Sequence, residues 1–384
     1  MSNKVYPRIL KAPTKSFFLL GPRGSGKSTW IKKHFKGAHT FNLLDERLYQ
    51  SLLQDPSLFS GRLNRLPKRS WVVVDEVQRL PQLLNEAHRF IEDRGLRFVL
   101  CGSSARKLRR AGVNLLAGRA ARRSMHPFVP EELGNDFDLG QVLRYGAVPI
   151  VWQSPSKKET LSDYVQLYLK EEIQAEAIVK NLPGFSRFLP IAGVFHGQTL
   201  NVSSLARDAG VSRTTVNGYI QVLEDTLMAF RLPAFEGKLR VREKKHAKFY
   251  WVDAGLARAV KKQFGPVTAE EKGSLFEGWV ANLLRTYGDY RNLFDSCYYW
   301  APAEAKTVEV DFLLSRGNEF VAVEAKAASR VSSDHLSGLK AIQELKGVKR
   351  RILVYLGNDS LRTESGIDIL TITDFLAELE QAKL

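Results

Sequence analysis

The 384-residue sequence predicts an α/β protein of three units: a parallel sheet with helices on both faces, a winged helix-turn-helix, and a C-terminal αβββαβ unit. Three observations lead there. Short apolar runs at Phe17–Leu20, Phe41–Leu44, Trp71–Val74 and Phe98–Cys101 alternate with helix-length stretches, the pattern of a parallel sheet buried on both faces. Around Gly210, two short amphipathic segments meet at a turn. Further on, Val308–Leu314 and Phe320–Lys326 read as strands joined by the tight turn Arg316-Gly317-Asn318, behind a helical pattern at Ser274–Leu284. The expected units are 1–153, 154–265 and 266–384, with Ser154-Pro155-Ser156-Lys157-Lys158 as the first linker.

The first apolar run leads directly into Gly21-Pro22-Arg23-Gly24-Ser25-Gly26-Lys27-Ser28-Thr29, which satisfies GxxxxGK[ST]. A strand, a glycine-rich curl and a helix start point consecutive backbone N–H groups at a phosphate chain and add the helix's partial positive charge. Gly21, Gly24, Ser25, Gly26 and Thr29 form the expected cradle for ATP. Lys27 is placed to reach the β- and γ-phosphates, and the Ser28 hydroxyl to ligate Mg²⁺. The third run ends in Asp75 and Glu76, acids delivered to the carboxyl edge where open α/β sheets bind ligands. Asp75 is the expected second Mg²⁺ contact; Glu76 is expected to orient or deprotonate the attacking water. The fourth run ends at Gly102-Ser103-Ser104. There Ser103 either senses the γ-phosphate or, with Ser104, caps a helix before Ala105.

The stretch 106–123 carries Arg106, Lys107, Arg109, Arg110, Arg119, Arg122 and Arg123 with no acid among them. Two functional readings compete: a face for nucleic-acid phosphates, or an arginine finger entering a neighbouring subunit's ATP site, with Arg119 the candidate. The second implies a homo-oligomer, a hexamer among the possible forms. Over the whole chain 57 Lys and Arg stand against 41 Asp and Glu, a formal net charge of +16 that favours a polyanionic partner, DNA first. No apolar run approaches the roughly 20 residues of a membrane-spanning helix. The start, Met1-Ser2-Asn3-Lys4, lacks the apolar region of a signal peptide. The expectation is a cytoplasmic protein with no membrane partner. Cys101 and Cys297 lie in apolar stretches without metal-type spacing and read as buried thiols in a reducing compartment.

In the middle unit a helical segment is expected over Leu161–Lys180, amphipathic through Tyr164, Leu167, Tyr168 and Ile173. Then Leu205 and Ala209 mark a first short helix, Gly210 the turn, and Ser212 the cap of a second helix that buries Val216, Ile220 and Leu223. Arg213, Thr214 and Asn217 point outward. Phe230–Phe235 and Lys248–Val252 read as paired strands whose connection, with Lys238, Arg240, Arg242, Lys244 and Lys245, forms a basic wing suited to DNA phosphates or to a protein partner.

In the last unit a strand is expected at Cys297–Trp300, a helix at Asp334–Leu345 and a strand at Arg351–Leu356. The hairpin would gather Asp311, Glu324 and Lys326, the last two sharing a face through the strand's two-residue period. Two carboxylates with a lysine suit a hard metal, Mg²⁺ or Mn²⁺, with a cation to polarise water. Glu277 on the preceding helix would add a ligand.

The D-x₁₂-E-x-K spacing, in that element order, resembles the PD-(D/E)XK nuclease superfamily, although Val310 stands where its naming proline would precede Asp311. Taken whole, the chain resembles a widespread bacterial and archaeal family of AAA-type P-loop ATPases. The likeness rests on GPRGSGKS at Gly21–Ser28, VVVDEVQRLP at Val72–Pro81, GSSARKL at Gly102–Leu108, LAGR at Leu116–Arg119, EVDFLL at Glu309–Leu314 and VEAK at Val323–Lys326. Members join an ATPase, a winged-helix segment and a C-terminal domain of unknown function with a restriction-endonuclease-like core. The resemblance implies ATP binding and hydrolysis with a link to DNA. The expected activity is a DNA-binding ATPase that remodels or processes DNA, with metal-dependent cleavage as an additional reading. The alternative is a nucleotide-switched interaction or regulatory protein that holds partners through the winged helix.

Overall fold

The computed structural model describes residues 4–104, 118–168, 181–237, 246–302 and 308–384. Its first sheet has five parallel strands in the order β2-β3-β4-β1-β5: β1 Phe17–Leu20, β2 His39–Asn42, β3 Trp71–Asp75, β4 Arg97–Gly102 and β5 Ala121–Ser124. Alternation along these strands explains the two covered faces. Leu20, Val72, Val74, Phe98 and Leu100 enter one apolar cluster, with Leu52, Phe59 and Leu84 from the helices over it. Phe17, Leu19, Val73, Val99 and Cys101 enter the other, under Trp30 and Ile31 of helix Lys27–His34. The sequence missed β5, because Ala-Arg-Arg-Ser has no apolar alternation. Arg122 and Arg123 thus belong to a sheet strand, in register with Phe18 and Leu19, and not to a free cationic loop.

The middle of the chain holds a helix pair, Val202–Ala209 and Arg213–Asp225, beside a small antiparallel sheet of β6 Gln198–Thr199, β7 Ala229–Leu232 and β8 Lys248–Trp251 in the order β6-β8-β7. Asn201 caps the first helix and Ser212 the second through side-chain acceptors, and Gly210 makes the turn at φ 64°. Leu205, Ala209, Val216, Ile220 and Leu223 are buried, while Arg213, Thr214 and Asn217 are exposed. The basic connection Lys238–Lys245 lies outside the described residues, as do Arg106–Arg110 and the segment 169–180 with Ile173. Lys157–Asp163 is helical and passes into a wider turn at Tyr164–Tyr168.

The third sheet runs β13-β14-β12-β11-β10-β9: β9 Ser296–Trp300, β10 Val310–Arg316, β11 Glu319–Lys326, β12 Val348–Tyr355, β13 Leu361–Arg362 and β14 Asp368–Thr371. It follows the long helix Ala269–Arg291, opened by a Thr268–Glu271 capping box, and precedes helix Ile372–Glu380. The expected helix at 334–345 is broken into 3₁₀, α and 3₁₀ turns between Ser333 and Glu344. Gly338 sits against the Glu309 backbone there, where any Cβ would collide. One apolar core runs without interruption from Phe128 through Leu205, Tyr250, Phe276 and Phe312 to Leu379, so the middle and C-terminal elements are packed as one body. Among the described residues no helix is long and apolar enough to cross a membrane.

Candidate functional site

The glycine-rich loop leaves β1 at the carboxyl edge and returns as the first turn of helix Lys27–His34. Gly24 (φ 73°) and Gly26 (φ 87°) take left-handed conformations that side chains disfavour, and no atom lies within 4 Å of where a Gly26 Cβ would stand. Gly21 presses on the Met125 carbonyl, 2.5 Å from its would-be Cβ. Lys27 is buried and donates to the carbonyls of Gly21 (2.7 Å) and Pro22 (3.1 Å), so its ammonium lies against the start of the loop. The Ser25 hydroxyl is buried without a hydrogen-bond partner. An orphaned hydroxyl inside a ring of left-handed glycines fits a phosphate that would satisfy it. Thr29 is exposed on the helix that follows.

Because β4 lies between β1 and β3, the ends of all three strands face one space. Ser28 Oγ donates to Asp75 Oδ2 at 3.0 Å, the oxygen pair that would share Mg²⁺. Glu76 adopts φ 57°, turning the chain into the 3₁₀ segment Val77–Arg79 and bringing Gln78 back beside it. Gln78 Nε2 donates to Glu76 Oε2 and, at 3.2 Å, to Ser103 Oγ, which donates to the same carboxylate oxygen at 3.4 Å. Ser103 is therefore linked to the acid expected to handle water, a link that a helix cap alone would not require. Arg119 lies before β5, at the edge where β1 begins, about 13 Å of strand from its own loop. It pairs there with Glu92, so it does not complete the site of its own chain.

Neighbouring elements hold the loop from outside. Tyr164 donates its hydroxyl to the Arg23 carbonyl (2.7 Å), and the Ile150 amide donates to the Gly24 carbonyl (3.2 Å). Arg8, in a buried ion pair with Glu132, donates to the Ser25 carbonyl (3.2 Å).

A second cluster lies where helix Ala269–Arg291, β8, β10 and β11 meet. The β10–β11 register sets Phe312 against Val323, which places Asp311 beside Glu324. The Asp311 amide donates to Glu324 Oε2 (3.2 Å), and the Ala325 amide to Asp311 Oδ2 (3.0 Å). Lys326 pairs with Glu324 (2.5 Å) and lies 3.9 Å from Asp311. Glu277 also enters, but the third acid of the converging trio is Glu309; oxygens of Glu277, Glu309 and Asp311 lie within 4.8 Å of one another. Glu324 is instead turned to Lys326. Among the trio sits the ammonium of Lys248, from β8. It pairs with Glu309, with Glu277 Oε1 at 2.8 Å and with Asp311 Oδ1 at 3.2 Å, its side chain 3% exposed. Tyr250 donates to the same Glu277 oxygen at 2.6 Å.

Burial, reinforced by the Asp311 charge, pushes Glu277 up to about 7 and Glu324 up to about 8. Burial also opposes a charged Lys248, yet Glu277, Asp311 and Glu309 hold it well above the ordinary lysine range. Burial would raise Asp311, but Lys248 and Lys326 outweigh it and hold that carboxyl low. The three acids are of a kind that suits a divalent ion, but as folded the position such an ion would need is filled by the Lys248 ammonium.

A family model described as an AAA domain matches residues 13–134. Residues 13–134 thus carry a P-loop ATPase domain of the AAA type. Two domains of unknown function, DUF8612 and DUF4143, match residues 136–266 and 272–375 of this AAA-type chain. An uncharacterized protein of Mycobacterium tuberculosis is 25% identical over 350 residues, 88% of this chain and 76% of that protein. An uncharacterized protein of Haemophilus influenzae is 20% identical over 354 residues, 87% and 82% of the two chains. Two solved structures show weak overall likeness. The Aeropyrum pernix ORC1 protein in complex with DNA gives a TM-score of 0.30 at 12% identity, over 66% of this chain and 87% of that one. Protein VC1899 from Vibrio cholerae gives 0.23 at 13% identity, over 96% of each chain. Neither score is high enough to carry an argument.

Sequence reasoning alone does not single out Gln78, Glu309, Lys248 or Tyr250. Two signals were available. Glu309 stands two residues before Asp311, on the same side of an extended chain, and Lys248 opens an otherwise apolar Phe-Tyr-Trp strand with Tyr250 two residues on.

Proposed function

We propose that this AAA-type chain hydrolyses ATP and acts on DNA, its ATPase unit at residues 1–153 working with the winged-helix and nuclease-like units at 154–265 and 266–384. The observation that carries hydrolysis is the joined set at the sheet edge: Lys27 in the loop, Ser28 on Asp75 at 3.0 Å, and Glu76 held by Gln78 and Ser103. Bound Mg²⁺ would supply charge neutralisation at the phosphates. Lys27 would leave the two carbonyls it now binds to reach the β- and γ-phosphates. Ser28 and Asp75 would hold the metal, and Glu76 would orient the attacking water. Arg119, distant from its own loop, would act on a neighbouring subunit in a homo-oligomer such as a hexamer. The +16 charge and the exposed Arg213 support a DNA partner bound chiefly through phosphates.

The test is the steady-state ATPase rate alone and with single-stranded, duplex and branched DNA, with Lys27→Ala as the blank. Several-fold stimulation by one form is expected, with DNA affinity falling steeply as salt rises. Turnover no higher than the blank would refute hydrolysis, and a rate indifferent to every DNA would refute the DNA coupling.

A second reading, a nucleotide-switched interaction protein, is favoured by one observation. Loop carbonyls of Arg23 and Gly24 are bonded to Tyr164 and Ile150, elements outside the first sheet, so nucleotide entry would be felt there. A Glu76→Gln chain that gains a partner or changes oligomer size with ATP, without any DNA response, would select this reading.

A further inference from the structure

We propose that Lys248 is the resident cation of the C-terminal carboxylate cluster, and that its ammonium and a divalent metal ion are mutually exclusive occupants, so that the middle unit holds the nuclease-like site shut. This rests on reading that cluster as a metal site of the nuclease-like fold.

The three acids around the ammonium come from separate elements: Glu277 from the middle of helix Ala269–Arg291, Glu309 from the approach to β10, and Asp311 from β10 itself. Lys248 comes from none of these. It opens β8, a strand that pairs with β6 and β7 in the middle sheet and reaches the carboxylate cluster through its side chains. Tyr250 repeats the crossing two residues later, on the same strand face, so two donors from β8 converge on Glu277 Oε1.

A plain structural ion pair requires one acid. Three acids on one buried lysine leave carboxylate charge that a single ammonium does not balance, and buried charge is costly unless compensated. The same three oxygens, within 4.8 Å of one another, have the convergence a small hard cation needs. An ammonium centred among them has taken the room and the lone pairs such an ion would use. The second lysine, Lys326, pairs with Glu324 at 2.5 Å and, of the trio, reaches Asp311 at 3.9 Å from the Glu324 side, whereas Lys248 contacts all three acids. Lys248 thus acts as a plug supplied by one unit into the site of another. Metal entry requires its side chain to leave.

The experiment measures Mn²⁺ binding to the full chain without nucleotide, by the loss of the free-ion electron paramagnetic resonance signal. It compares the wild type, Lys248→Gln, Lys248→Met, and each variant combined with Asp311→Asn. Lys248→Gln is one atom shorter but keeps two N–H donors, so it carries the test where the methionine chain does not fold. The expected result is one additional Mn²⁺ site per variant chain, at least tenfold tighter than anything in the wild type and lost with Asp311→Asn. If the wild type already binds Mn²⁺ as tightly as the variants, in an Asp311-dependent manner, the metal reading stands and mutual exclusion is overturned. If folded Lys248 variants gain no site, the cluster is not a metal site and both ideas fall. A measurement on the unaltered chain is independent of any folding defect. Saturating Mn²⁺ should raise labelling of Lys248 by an amine-reactive ester several-fold, read by peptide mass spectrometry; labelling that Mn²⁺ does not change overturns the exclusion.

Discussion

Replacing Gly24 by alanine probes the phosphate cradle where both backbone conformation and space disfavour a side chain. Gly24 has φ 73°, and a Cβ there would stand 2.6 Å from Ile150 Cγ2. The left-handed conformation costs alanine about 1 kcal/mol. Overlap with a β-branched side chain of stiff χ1 adds about 1–3 kcal/mol. Sliding the loop aside breaks the bond from the Ile150 amide to the Gly24 carbonyl, 3.2 Å long. The free variant loop would relax out of this shape and nucleotide would have to restore it, so the cost falls on affinity. A penalty of about 2–4 kcal/mol corresponds to a loss of about 30- to 1,000-fold. Titration of a fluorescent ATP analogue with Gly24→Ala, Ile150→Ala and the double variant separates the two contributions. Ile150→Ala removes the 2.6 Å overlap and leaves a 3.1 Å contact with Cβ and the backbone cost, so the double variant should recover about 1–2 kcal/mol of the single variant's loss. Gly24→Ala binding within threefold of the wild type would refute the reasoning, as would a double variant that recovers nothing.

Three other outcomes follow from the same contacts. Glu76→Gln should bind ATP within a few-fold of the wild type while phosphate release falls by about 10²–10⁴, the usual worth of a positioned acid–base group; unchanged turnover would remove Glu76 from the chemistry. Gly146, at φ 78°, lies against the Asp253 carboxylate that caps helix Ala254–Val260 and accepts from the Ala147 amide at 2.6 Å; Gly146→Ala should therefore cost about 2–4 kcal/mol in denaturant unfolding. His196 is buried and accepts from the Trp251 amide on Nδ1 at 3.1 Å. Burial, with Lys261 nearby, pushes its pKa from 6.5 down to about 3. The folded state thus binds fewer protons than the unfolded one, and the stability this residue contributes is present above pH 6.5 and lost as pH falls toward 3. Between pH 6.5 and 5 the loss should be about 2 kcal/mol, and His196→Gln should flatten that part of the profile.

Local patterns made the first sheet legible and long-range ones hid its edge. Trp71–Asp75 announces itself as a strand because five residues carry both the apolar run and the acid. Ala121–Ser124 becomes a strand only by lying along β1, a contact across more than a hundred residues with no trace in its own composition. The C-terminal site divides the same way. Asp311, Glu324 and Lys326 were readable because a hairpin turn and a two-residue period bring them together. Lys248 meets Asp311 across 63 positions, from another sheet, and no local rule connects them. The carboxylates therefore showed where a cation belongs, and only the fold showed that the chain supplies its own.

The two sites are joined by a short path of contacts. Tyr164 holds the Arg23 carbonyl at 2.7 Å, and the same hydroxyl lies 3.6 Å from Met228 Sδ. The Met228 carbonyl takes the Val252 amide at 3.0 Å, immediately before β7 pairs with β8 from Leu232–Lys248 to Ala229–Trp251. Lys248 is the first residue of that strand and the one inside the carboxylate cluster. A loop that changed shape around a nucleotide would pull on Tyr164, and Tyr164 is packed in the core that positions β7 and β8. Coupling of this kind is reciprocal: if bound nucleotide loosens Lys248 by some free energy, an occupant that displaces Lys248 must tighten nucleotide binding by the same amount. Tyr164 beside the loop and β8 beside the cluster share one core, whereas a chain of independent domains would bury them in separate ones.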